Sequence, residues 1–230
     1  LGWRQAWWTL GLVLAGLVPL CAALIRNPPK DGMLASPTDP ASPHQETAEV
    51  VDLTLPEVLC TPAFWVFVIG TSTFNLVWSG ITLFNESIVV QQGFGQPASL
   101  EVLSILTATG LLANLLTGAV ASRERLGRLL AVGLAFLAAA LLAFPWLNSA
   151  SALWWYSLSL GASGGIITVV FFAAWGALCG QAALGRVQSA AQLGTVFASS
   201  LGPVLFAESF GRTGSWHPIF LALGIWTALL

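Results

Sequence analysis

Thr71, Asn75, Ser79, Thr82 and Glu86 follow one another in steps of three or four residues, which on an α-helix puts all five on one face. Together they form a ladder of hydroxyl, amide and carboxylate groups. Such a ladder can hydrogen-bond a polar solute, and Glu86 can couple its passage to a charge. Ser157, Gly161, Gly164, Thr168 and Trp175 share a second face of this kind, and Gln188, Gln192, Thr195 and Ser199 a third. Bond-making chemistry has far less to work with. Cys21, Cys60 and Cys179 are widely separated and contain no C-x-x-C pair, which argues against a disulfide framework or a metal site. His44 and His217 have no partner at ligand or catalytic spacing, and no Ser/His/Asp or Cys/His set can be assembled. The sequence therefore predicts neither an enzyme nor a bound metal or cofactor.

The elements carrying these stripes are dictated by composition. Of 230 residues, 56% are hydrophobic and only 8% charged, and the mean hydropathy is +0.81. Soluble domains carry roughly a quarter of charged residues, so this is a membrane protein. A net charge of −2 lacks the concentrated basic face that binding to nucleic acid needs. Apolar runs occur at about 6–25, 64–88, 102–121, 129–146, 153–178, 187–206 and 216–230. Most approach the roughly 20 residues with which a helix crosses about 30 Å of hydrocarbon. Helices are the required form, because an open strand in lipid leaves its N–H and C=O groups unpaired, and these runs lack the alternation of a barrel. Gly161, Gly164, Gly165 and Ala174 in "GASGGIITVVFFAAWGALCG" predict close approach of neighbouring helix backbones.

Within lipid a polar stripe must turn inward, either to line a cavity or to hydrogen-bond adjacent helices at roughly 0.6 kcal/mol per contact. Glu86 and Glu101 lie at run ends, where a carboxylate can equally rest in the wet interface. No Arg, Lys, His or Asp occupies the middle of any run. Trp7, Trp8, Trp146, Trp154, Trp155 and Trp216 fall near run ends, the headgroup depth at which amphipathic rings settle.

Loop charge orients the chain. Cytoplasmic loops carry excess Lys and Arg. With residues 26–61 inside, Arg26, Lys30, Arg123, Arg125, Arg128 and Arg186 are all cytoplasmic, and only Arg4 and Arg212 fall outside. Arg123, Arg125 and Arg128 crowd one short loop, "GAVASRERLGRL". They serve orientation first, and they are also placed to latch the inner ends of neighbouring helices, with Glu124 as a local partner. Residues 26–61 hold Asp31, Asp39, Glu46, Glu49, Asp52 and Glu57 among many Pro, Ser and Thr, the composition of a solvated linker. The chain reads as a fragment: Leu1 is not an initiator Met, no signal peptide precedes the first run, and the last run stops at Leu230.

One helix, a long linker and six helices is the order in which the second half of the major facilitator superfamily begins, and several stretches resemble that superfamily. "GWR" at Gly2–Arg4 is similar to the turn before its sixth helix, "RNPPKDG" to the start of its central loop, and "FWVFVIG" to the entry of its seventh helix. Gly118, Arg123, Gly127 and Arg128 resemble the second copy of the G-x-x-x-D-R-x-G-R-R motif; Ser122 stands where that motif has Asp, and Gly127 is displaced. "LGRVQSAAQLGTVFASSLGPVLFAESFGRTGSW", with its Gly202-Pro203 pair, resembles the eleventh helix and the loop that follows. More loosely, the chain resembles the branch of monocarboxylate porters and oxalate:formate antiporters.

The expected architecture is thus an all-α multi-pass transmembrane bundle, a fragment of about seven membrane helices. Residues 1–25 form the last helix of an N-terminal half, 26–62 a cytoplasmic linker, and 63–230 a C-terminal six-helix half with its last helix truncated. The resemblance implies secondary transport of a small solute across a cell membrane, bacterial inner or plasma, by alternating access. The resemblance implies that the seventh and tenth helices line the central cavity, which makes Asn75, Ser79, Thr82, Glu86, Ser157 and Thr168 candidate substrate-binding residues, and Gln192 of the third stripe is added to them. Arg123, Arg125 and Arg128 are the candidate latch. The implied partners are the lipid bilayer, a small organic anion such as a monocarboxylate, a coupling proton or co-transported ion, and the missing N-terminal half. A seven-helix receptor or a non-transporting membrane protein is the rival reading, and upstream sequence distinguishes it.

Overall fold

The computed structural model describes residues 3–24, 55–180 and 183–230, and every regular element among them is helical. Two units are distinct, Leu1–Ala48 and Glu49–Leu230. The first contributes α1, Trp3–Leu24, a 22-residue helix with Pro19 inside it. The linker from residue 26 to 54, with His44, lies outside the described residues.

The second unit holds α2 (Leu55–Leu59), α3 (Pro62–Gln91), α4 (Gln96–Val120), α5 (Leu126–Ala143), α6 (Ala150–Cys179), α7 (Leu184–Thr213) and α8 (His217–Leu229), with a 3₁₀ turn at Phe144–Trp146 that prolongs α5. Five helices among the described residues, α3 to α7, are long and apolar enough to cross a membrane. α8, with 13 residues, spans only about 20 Å at 1.5 Å per residue, short of the roughly 30 Å of hydrocarbon. α3, α6 and α7 each run to 30 residues, beyond the apolar runs that mark them. A helix need not stop where the lipid does. The last turns of α7 continue through Glu208 and Arg212, whose side chains pair at 2.6 Å, one helical turn apart and both exposed.

Short connections make sequence neighbours antiparallel. The α7–α8 turn depends on Gly214, whose φ of +68° favours a residue without Cβ; its N–H donates to the Phe210 carbonyl at 2.8 Å. The principal packing partners are α4 with α6, α3 with α7, α5 with α6, and α5 with α8. Glycine sets the first of these. A Cβ on Gly161 would lie 2.6 Å from the Leu106 carbonyl oxygen, and one on Gly165 would strike the Gly110 carbonyl oxygen. α4 and α6 therefore touch backbone to backbone along Gly161-x-x-x-Gly165, the close approach that small residues permit in a bilayer. Gly202 plays the same part between α7 and the Leu76 carbonyl of α3.

Polar side chains tie the ends farthest from the arginine loop. Asn85 Nδ2 donates to the Ser99 carbonyl at 2.9 Å, Gln96 Nε2 to Glu86 Oε1 at 2.5 Å, and Trp154 Nε1 to Glu101 Oε1 at 2.9 Å. Gln91 Nε2 reaches the Gly214 carbonyl at 2.7 Å, and Gln92 Nε2 lies 3.0 Å from His217 Nε2. Trp216 lies at a helix end, as its spacing predicts, but its ring is turned into the protein. Only 2% exposed, it stacks on Phe210 at 4.4 Å and packs against Phe84 and Phe206. The turn after α7 folds it inward, whereas Trp7, Trp8, Trp146, Trp154 and Trp155 are exposed.

Candidate functional site

Two adjoining cavities open in the second unit. The first, about 140 Å³, is lined by Phe74 and Asn75 of α3, Ile167, Thr168, Phe171 and Phe172 of α6, and Gln192 and Thr195 of α7. One water needs only about 10–15 Å³ on such a measure, so the space suits a small solute. The second is an open groove of about 550 Å³ whose lining includes Phe74, Asn75 and Trp78 of α3, Thr107 and Asn114 of α4, and Gly164 and Thr168 of α6. Asn75 and Thr168 belong to both. The space exists because spacers differ around α6. Against α4 the contact is glycine on backbone, while α3 meets Gly164 through the Phe74 and Trp78 rings, at 3.4 Å from the position a Cβ would take.

Hydrogen bonds within each helix decide what the lining offers. Asn75 Nδ2 donates to the Thr71 carbonyl at 2.9 Å, Thr168 Oγ1 to Gly164 O at 2.7 Å, and Thr195 Oγ1 to Gln192 O at 2.9 Å. These are local bonds back along the helix, so the polar stripes bridge helices less than they bond themselves. Trp226 Nε1 to Thr73 Oγ1, at 3.1 Å, is one bond that does bridge.

Of the residues singled out by spacing, Asn75, Thr168 and Gln192 come together on the first cavity, with Thr195 beside them. Ser79 lies at the α3–α7 crossing, where Gly202 abuts its Oγ. Thr82 donates to the Trp78 carbonyl at 2.8 Å. Glu86 is exposed and bonded to Gln96. Ser157 is fully buried and donates to Leu153 O at 2.8 Å. Trp175 is fully buried among Phe64, Phe67 and Phe171. None of these five lines either cavity. Thr107, Gly110 and Asn114 of α4 line the groove, although spacing had not singled them out. Their signal was present in "TATGLLAN": three small or polar residues at intervals of three and four inside an apolar run. The aromatic lining, Phe74, Trp78, Phe171 and Phe172, carries no such signal, because rings are equally at home in a core or facing lipid.

Arg123 and Arg125 occupy the α4–α5 turn and Arg128 the first turn of α5, at the opposite end from Glu86 and Glu101, and all three are exposed, as is Glu124. The turn is held by its own backbone, with Arg125 N–H donating to Ser122 O at 2.8 Å.

A family model described as Major Facilitator Superfamily matches residues 1–189, from the first helix into α7. The chain belongs to this superfamily. A search of curated proteins gave no match. As a major facilitator protein it is a multi-pass membrane transporter, and the paired cavities of α3, α4, α6 and α7 are its candidate solute site. The match is to the superfamily as a whole and does not single out a branch.

Proposed function

We propose that the protein is a secondary transporter that moves a small solute by alternating access, with the face formed by α3, α4, α6 and α7 as one wall of its central site. The observation that supports this most is the sharing of both cavities by Asn75 and Thr168, polar residues from two different helices. On this reading residues 1–25 are the last helix of an N-terminal half, 26–62 a cytoplasmic linker, and 63–230 the C-terminal half. The two halves rock about the midplane site and expose it to one side and then the other. A proton or co-transported ion supplies the driving force. Asn75, Thr168 and Gln192 contact the solute; Ser79, Thr82 and Ser157 support the helices that carry them, and Glu86 stands at the outer mouth. The resemblance to monocarboxylate porters points to small organic anions. Both cavities are lined by uncharged residues, so on that branch reading the anion's carboxylate is met by a cation of the other half.

Single cysteines test the cycle without knowledge of the solute. In the full-length protein freed of native cysteines, Asn75→Cys and Thr168→Cys are expected to react with a membrane-impermeant maleimide from either face. Ser36→Cys and Glu124→Cys should react from the cytoplasmic face alone. Labelling of positions 75 and 168 from one face only rejects alternating access at this site, and labelling of 36 and 124 from outside rejects the orientation.

The arginine turn provides a latch on the same scheme: Arg123 and Arg128, with Arg125 between them, hold the inner ends of the helices together while the site faces outward. An exposed ion pair contributes only about 0–1 kcal/mol, yet that moves a balanced two-state equilibrium by up to about fivefold. Arg123→Gln with Arg128→Gln is therefore expected to raise the rate of cytoplasmic labelling at Thr168→Cys about two- to fivefold. An unchanged rate leaves the three arginines to orientation alone.

A further inference from the structure

The cavity lining has a hydrogen-bonding bias that spacing alone does not reveal. Three hydroxyls line the two cavities, and each donates its only proton to a carbonyl of its own helix: Thr107 to Leu103 O and Thr168 to Gly164 O, both at 2.7 Å, and Thr195 to Gln192 O at 2.9 Å. A hydroxyl has one proton and two lone pairs, so each offers a ligand acceptor capacity. Asn75 uses one of its two N–H donors on Thr71 O and has its carbonyl oxygen uncommitted. The amides of Asn114 and Gln192 can serve as donor or acceptor. Beside these groups stand aromatic rings. Phe74 and Trp78 lie 5.3 Å apart with planes at 34°, and Phe171 and Phe172 are edge to face at 5.2 Å. Ring faces carry negative potential and attract cations, indole most strongly. No ionisable side chain lines either cavity.

With all three hydroxyl protons committed and ring faces beside them, the wall's donors are confined to the side-chain amides, which makes it a poorer match for a carboxylate, which has only acceptors to offer, than for an N–H-bearing cation. We infer that the solute presents a protonated amine to the wall formed by Asn75, Trp78, Thr107, Thr168 and Thr195. This rests on the transport reading and specifies the chemistry of its solute, replacing the anion that the branch resemblance implies with an organic ammonium. The ammonium hydrogens meet the threonine and asparagine oxygens, and the carbon next to them lies against Phe74 and Trp78.

Three probes that share a phenyl ring and a short arm isolate head-group charge: phenethylammonium, phenethyl alcohol and phenylacetate, each titrated calorimetrically into the full-length protein in lipid nanodiscs. Phenethylammonium is expected to bind at least about tenfold tighter than phenylacetate, with the alcohol between them. Trp78→Leu should narrow that ratio to about twofold, because the ring is lost while the oxygens remain. Should Trp78→Leu not fold, Thr168→Val removes one acceptor and should narrow the ratio in the same direction. Equal or tighter binding of phenylacetate, tightest binding of the alcohol, or binding of none of the three overturns the inference. The transport reading is judged separately by labelling at positions 75 and 168, so the two fail independently.

Discussion

Gly165→Val is expected to remove folded protein from the membrane. A Cβ at Gly165 would strike the Gly110 carbonyl oxygen and come within 2.7 Å of both the Ala113 Cβ and the Asn114 nitrogen. Two of those three obstacles are backbone, so no rotamer change relieves the clash, and α4 must separate from α6. Overpacking costs about 1–3 kcal/mol where side chains can yield, and the cost here is expected at or above the upper end. Helices in lipid gain nothing from hiding apolar surface from one another, so lost van der Waals contact is not replaced by a hydrophobic term. The measurement is the unfolding midpoint of purified protein in detergent, together with the yield of monodisperse material. Gly176→Ala is the control, because nothing lies within 4 Å of its added Cβ, and it should behave as wild type. A wild-type midpoint for Gly165→Val would mean that α4 and α6 are not in backbone contact.

Asn75→Leu and Thr168→Val are each expected to lower transport by about tenfold or more while leaving expression and the unfolding midpoint near wild type. Valine replaces threonine at nearly constant shape and removes Oγ1, whose partner Gly164 O lies in the same helix. Folding therefore loses one local bond, whereas the solute loses a group it must otherwise bond to water. An unmatched polar group in a closed site costs about 1–3 kcal/mol, and 1.4 kcal/mol is tenfold in rate or affinity. Ser157→Ala provides the contrast: Ser157 shares a face with Thr168 but lines neither cavity, so transport should be unchanged. The assay is uptake into proteoliposomes of whichever labelled solute in a panel of amines, carboxylates and sugars is transported. Wild-type kinetics in both Asn75→Leu and Thr168→Val would assign these residues to packing.

Much of the bundle is legible in the sequence because a segment in lipid must satisfy its backbone internally. Whether residues 64–88 or 153–178 are helical depends on their own composition, and both lie within the observed α3 and α6. Helix ends are less legible. The apolar run of α7 fades near residue 206, but the backbone continues to Thr213 because water and headgroups do not unwind a helix carrying its own Glu208–Arg212 pair. Trp216 shows a second limit, since proximity to a run end does not say whether the following turn carries a ring out to the headgroups or back onto Phe210.

Membrane residence, the helical segments and the residues that share a face all follow from local composition and the 3.6-residue repeat. Which members of a face meet a cavity depends instead on how the helices pack. Ser157, Gly161, Gly164 and Thr168 occupy one stripe of α6, yet Ser157 is fully buried and lines neither cavity, Gly161 lies against the α4 backbone at the floor of the groove, and Gly164 and Thr168 line the groove beside the α3 rings. Ser157 and Thr168 are about 16 Å apart along the helix at 1.5 Å per residue, and the neighbour changes over that length. Glycine lets α4 close on α6, whereas the Phe74 and Trp78 rings stand between α3 and Gly164. The volume of a neighbouring helix's side chains sets where a bundle opens, and that volume is supplied by residues far away in the chain.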